Sequence, residues 1–155
     1  MKPSLFDQFP RDIVCRHAVR LPVDADRVWA LVGDVGDVRV GSEFVDRIDV
    51  EGSGAGAVRS LHIKGGMVVR ELIEEYSAKD RYYVYRVVDP GPLDFTHYLA
   101  LASVQPAGPH QCIFMWITTA TAVDGKREEM RALLDGNIQR VFAAVRRELG
   151  VPMAA

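Results

Sequence analysis

The chain has 155 residues, 48% hydrophobic and 26% charged, with a formal net charge of −2. That length suits a single domain with a sizeable core. The charge balance offers no basic excess for nucleic acid or an anionic membrane, and the apolar runs are too short for integral membrane association.

Residues 1–12 read as a lead-in in which Leu5, Phe6 and Phe9 are placed to tuck against the body. Pro3, Pro10 and mixed charges, without an apolar stretch, argue against a secretory signal. Ile13 to Leu21 alternates, with Ile13, Cys15, His17, Val19 and Leu21 on one face and a more polar set on the other, which predicts a first strand. Pro22 and Asp24 then open a short helix carrying Val28, Trp29, Leu31 and Val32 and ending at Gly33. A second short helix or turn fits 37–44.

Six strand-like stretches follow: 45–51, 57–64, 67–77, 81–88, 95–105 and 111–123. Each is set off by turn residues such as Gly52-Ser53-Gly54-Ala55-Gly56, Gly65-Gly66 and Asp89-Pro90-Gly91-Pro92. Such short connections predict antiparallel pairing of neighbours. The Gly52–Gly56 run joins two strands rather than opening a helix, so it reads as a hairpin turn and not a phosphate cradle. The Asp89–Leu93 loop is stiff enough to serve as a lid, or simply to connect two strands.

The last element dominates. Met130, Leu133, Leu134, Ile138, Val141, Phe142, Val145 and Leu149 recur at three- and four-residue steps, predicting a long amphipathic helix over 124–149. Asp124 is the expected N-cap, Gly150 the expected cap at the other end, and Pro152 the stop. Asn137 interrupts the apolar stripe near its centre. A polar amide there needs a partner, which is either the protein itself or a ligand. Residues 151–155 form a tail.

Strand, two short helices, six strands and a long helix make an α+β fold. One curved seven-stranded antiparallel sheet must bury a face, and the long helix is its natural cover. A single helix cannot fill the hollow of such a sheet, so a cavity is expected between them. This order resembles the START/Bet v 1-like (SRPBCC) superfamily, the helix-grip fold, and in particular its bacterial polyketide cyclase/dehydrase-like branch. The resemblance rests on Pro22 to Asp34, Gly56-Ala57-Val58-Arg59, Arg70-Glu71-Leu72 and the final helix, and spans residues 13–150. It implies binding of lipids, hormones or polyketides, or cyclisation and dehydration chemistry. A fold alone does not choose among these.

Several residues fall where a cavity wall is expected. On strand 57–64, Arg59, Leu61 and Ile63 share the inward face. An inward guanidinium is either paired within the protein or clamps a carboxylate or enolate oxygen of a ligand. Strand 67–77 is ambiguous by alternation. Resemblance to the plant abscisic-acid receptors favours Val68, Arg70 and Leu72 inward. Those receptors resemble this chain with an acidic residue at Arg70, and their ligand-anchoring lysine falls near Ser42, so abscisic acid itself is not implied. Tyr83, Tyr85 and Val87 are placed inward. So is Tyr98, whose strand neighbours Ala100 and Ala102 leave room. Thr119 is placed toward the helix with Ile113, Met115 and Ile117, and the helix contributes Leu133, Asn137 and Val141. The opposite faces of the last two strands are then apolar (Phe95, Leu99, Leu101, Phe114 and Trp116), which suggests a homodimer. With the parity reversed they line the pocket instead.

His17, His62, His97 and His110 lie on separate elements without ligand spacing, so no metal site is expected, and no other cofactor is implied. Cys15 and Cys112 lie far apart with no CxxC and read as reduced thiols of a cytoplasmic protein. The expected partner is a small hydrophobic molecule with an acidic or carbonyl group. The alternatives are a cyclase or dehydratase moving a proton beside a carbonyl, and a protein-interaction module.

Overall fold

The computed structural model describes residues 12–152. The lead-in and its three apolar side chains lie almost wholly outside the described residues, as does the end of the tail. In chain order come β1 (Ile13–Leu21), α1 (Ala25–Val32), a 3-10 turn at Val38–Gly41, β2 (Val45–Glu51), β3 (Val58–Ile63), β4 (Val68–Ser77), β5 (Tyr82–Asp89), β6 (Phe95–Pro106), β7 (Cys112–Ala122) and α2 (Arg127–Leu149). The strands form one antiparallel sheet in the order β1-β7-β6-β5-β4-β3-β2. Sequence neighbours pair because their connections are short, while β1 closes against β7. This is the helix-grip arrangement.

Helix α2 starts at Arg127, later than Asp124, with Lys126 at the N-cap and no side-chain cap. Its far end follows expectation. Gly150 adopts a left-handed φ of 70° and its N–H reaches the Arg146 and Arg147 carbonyls. Met130, Leu134, Ile138, Val141 and Val145 are buried against the sheet. Two further ties fix the helix across the concave face. Phe142 stacks on Phe114 with ring centroids 4.4 Å apart, and His17 Nε2 meets Asp135 Oδ1 at 2.7 Å. Helix α1 is seated by Trp29 against Tyr76, whose hydroxyl donates to the Gly33 carbonyl at 2.8 Å. A Cβ at Gly33 would lie 2.4 Å from the Trp29 ring, so any larger residue there would force the ring or the turn to shift.

Three expected orientations are corrected. On β4 the buried residues are Val69, Glu71 and Ile73, whereas Val68 is 38% exposed and Arg70 is also exposed. The cause is electrostatic: Glu71 stands directly opposite Arg59 in the β3–β4 register, and the two form an ion pair inside. On β7 the inward set is Cys112, Phe114, Trp116, Thr118 and Ala120, so Thr119, Ile113, Met115 and Ile117 belong to the outer face. Thr119 spends its hydroxyl on the Leu99 carbonyl at 3.2 Å. On β6 a bulge between Thr96 and Leu99, with His97 at φ 53°, brings Phe95 and Tyr98 to the same inner face. Phe95, Phe114 and Trp116 are therefore core residues and Leu99 is only 1% exposed, so of the patch that suggested a homodimer Leu101 alone stays partly exposed. Both cysteines are free and buried.

Candidate functional site

The hollow between α2 and the sheet holds two adjoining compartments. The inner one, about 110 Å³, lies between the 32–48 segment, β3, β5 and α2. The outer one, about 380 Å³, opens between the β3–β4 hairpin, Leu93 and the first half of α2. Phe44, Leu61, Tyr98, Leu134 and Asn137 belong to both walls.

Arg59 is 7% exposed and Glu71 5% exposed, and both face the inner compartment. Arg59 Nε donates to Glu71 Oε1 at 2.7 Å, and Nη1 donates to the Val35 carbonyl at 3.2 Å. Its guanidinium lies over the Tyr85 ring, 4.6 Å from the centroid, with Tyr83 at 5.5 Å. Burial works against the charge on Arg59 and is the largest single influence on it, but Glu71 together with Tyr83 and Tyr85 outweighs it and keeps the guanidinium protonated. Burial pushes the Glu71 carboxyl up, against the pull of Arg59. This arginine is a paired wall group, with its donors turned to Glu71 and the backbone.

Hydroxyl chemistry lies beside the pair. The Tyr85 and Tyr98 oxygens are 3.0 Å apart, and Tyr98 lies 3.5 Å from the Thr118 hydroxyl. Burial raises both phenols, Tyr98 to about 12, so each is a neutral donor at ordinary pH. Trp116 packs edge-on against Tyr83 and Tyr85, completing an aromatic wall. A pair of phenols in an apolar chamber can present an O–H to a carbonyl or phenolic oxygen.

Of the residues expected from sequence, Arg59, Leu61, Tyr83, Tyr85, Tyr98, Asn137 and Val141 line the inner compartment. Ile63 and Leu133 line the outer one. Val87 packs against the core on the margin, in a separate depression with Phe95 and Pro90. Val68, Arg70 and Thr119 line neither compartment. Asn137 meets its expected need within the protein, its Oδ1 accepting from Arg140 Nη1 at 3.1 Å. Glu71 and Phe44 were missed, and Trp116 was placed at the wall only under the reversed strand parity. Glu71 had a signal, since an inward arginine demands an acid across the strand. Among the described residues no group of histidines, cysteines or carboxylates could hold a metal ion, and no helix is long and apolar enough to cross a membrane.

A family model described as polyketide cyclase/dehydrase and lipid transport matches residues 13–150. The chain belongs to that family. Solved structures agree on its fold. The protein XoxI from Bacillus cereus superposes with a TM-score of 0.78 at 22% identity, covering 88% of this chain and 94% of that one. Norcoclaurine synthase from Thalictrum flavum, in complex with dopamine and hydroxybenzaldehyde, gives 0.69 at 16% identity, covering 92% and 88%. At such identities the likeness establishes architecture and nothing about chemistry. No curated protein matches the sequence. The polyketide cyclase/dehydrase and lipid transport family thus brings hydrophobic ligand binding as its general theme, and this member furnishes a two-part cavity with a phenol pair at its inner wall.

Proposed function

We propose that the protein binds or carries a small hydrophobic molecule of aromatic, polyketide-like or lipid-like character in the hollow under α2. The observation that carries this reading is an apolar chamber whose inner wall bears the Tyr85–Tyr98 hydroxyl pair. An engineered apolar cavity of about 150 Å³ holds a benzene, so the inner compartment is on the scale of one ring. Burial of that ring supplies affinity, and the phenols orient an oxygen on it. The rest of the ligand occupies the outer compartment. The cytoplasm is the proposed setting, supported by two unpaired cysteines.

Thermal unfolding in the presence of aromatic acids, polyketides, sterols and fatty acids tests the reading. A ligand specific for the folded state raises Tm with concentration, and Val141→Phe, which fills the inner wall, abolishes that rise. A panel that shifts nothing overturns it. A second reading, proton transfer beside a carbonyl, draws support from the Glu71 carboxyl on the same wall. It requires turnover that Glu71→Gln removes while ligand binding persists.

A further inference from the structure

The two compartments differ in charge. Among the described residues the inner wall carries a single cation, Arg59, against Glu71, Asp34 and Asp37, and the last of these is already paired to Arg39 at 2.6 Å. Arg59 is committed to Glu71, so an acidic ligand group entering there would meet an unfavourable field and no uncommitted cation. The outer wall reverses the balance, with Lys64 and Arg140 against Glu43. Glu43 is already engaged by Arg140 at 3.9 Å and Arg147 at 3.7 Å, and Arg140 also donates to Asn137. Lys64 has no ion-pair partner among the described residues. It sits at the start of the β3–β4 hairpin, its backbone N–H held by the Phe44 carbonyl at 3.0 Å. Phe44 is a wall residue of both compartments, and Ile63, Met67, Leu93 and Leu133 give the outer one an apolar lining.

We infer that the ligand is an amphipathic acid, bound with its ring against the phenols and its anionic group outermost, and that Lys64 is the residue that selects for that charge. This rests on the cavity reading above. Lys64 is exposed, so its ion pair with a ligand is screened and its contribution is modest. It sets specificity, while burial sets affinity.

Two fluorescent probes sharing a ring skeleton separate these contributions: 8-anilinonaphthalene-1-sulfonate, which is anionic, and N-phenyl-1-naphthylamine, which is neutral. Both are titrated into the intact protein, Lys64→Gln, Lys64→Arg and, as a control in the distant β4–β5 turn, Lys79→Gln. The expected result is that Lys64→Gln weakens the sulfonate about two- to fivefold, the range of a screened ion pair, and leaves the neutral probe unchanged. Lys64→Arg and Lys79→Gln should bind both probes as the parent does. Added salt should weaken the sulfonate in the parent and not in Lys64→Gln. Equal loss of both probes in Lys64→Gln, or loss of neither, overturns the role of Lys64 while leaving the cavity reading standing. Failure of the neutral probe to bind the parent overturns both.

Discussion

Removing one half of the buried ion pair should cost far more than removing both. Arg59 and Glu71 meet at 2.7 Å with side chains only 8% and 7% exposed, so water screens little of their attraction. Glu71→Ala would strand a guanidinium left with the Val35 carbonyl and with Tyr83 and Tyr85, and no counter-ion on the inner wall that it touches. Stranding a buried charge in this way costs about 3–5 kcal/mol, a large share of the roughly 5–15 kcal/mol that holds a domain together. At about 2–4 °C per kcal/mol for a chain of this size, Tm falls by roughly 6–20 °C. The double variant Arg59→Met, Glu71→Leu carries no charge to strand and keeps similar volume, so it should recover most of the loss. Urea unfolding followed by circular dichroism on the parent, both singles and the double gives the coupling directly. Two single losses that simply add in the double would refute the claim that this pair acts as a unit.

Tyr98 has a folded pKa raised to about 12 by burial, so its contribution is intact below the unfolded phenol pKa and lost as pH rises through the folded value. Keeping that phenol neutral in the folded state is worth roughly 3 kcal/mol. Absorbance near the phenolate band should show Tyr83, Tyr85 and Tyr98 ionising together with unfolding, and early, reversible ionisation of all five tyrosines would contradict their burial. Gly33→Ala forces a Cβ onto the Trp29 ring and should destabilise by about 1–3 kcal/mol with a change in tryptophan emission, whereas an unchanged urea midpoint would mean that the turn yields freely. Gly150→Ala places a Cβ at a left-handed φ and should cost about 1–2 kcal/mol; an unaltered Tm would rule out the strained cap.

Element order and the cover helix were legible because each rests on a strong local signal. The three- and four-residue recurrence from Met130 to Leu149 has no strand interpretation, and Gly-rich turns cut the preceding chain into lengths that only hairpins accommodate. The inner wall was partly legible for a different reason. Arg59, Leu61, Tyr83 and Tyr85 sit on strands where one face is distinctly more cavity-like, and Tyr98 was placed inward by its small strand neighbours Ala100 and Ala102. Strand β7 offers no such contrast: Phe114 and Trp116 on one face are matched by Ile113, Met115 and Ile117 on the other. Alternation then carries no sign, and a one-residue slip exchanges the whole set. The β6 bulge was invisible for a related reason, since an extra residue at His97 changes parity in mid-strand without disturbing composition.

Strand β4 could have been read correctly, and the reason bears on the site itself. Its two faces are similarly mixed, so hydrophobicity does not decide between Arg70 and Glu71. Charge balance does. Once Arg59 is placed inward, an inward Arg70 on the neighbouring strand would set two guanidinium groups side by side in an apolar chamber, while an inward Glu71 gives the first its counter-ion directly across the ladder. The choice that satisfies the buried charge also removes Arg59 from the pool of ligand clamps. For the amphipathic acid proposed above, recognition of the charge then falls to the outer compartment, where Lys64 has no ion-pair partner among the described residues.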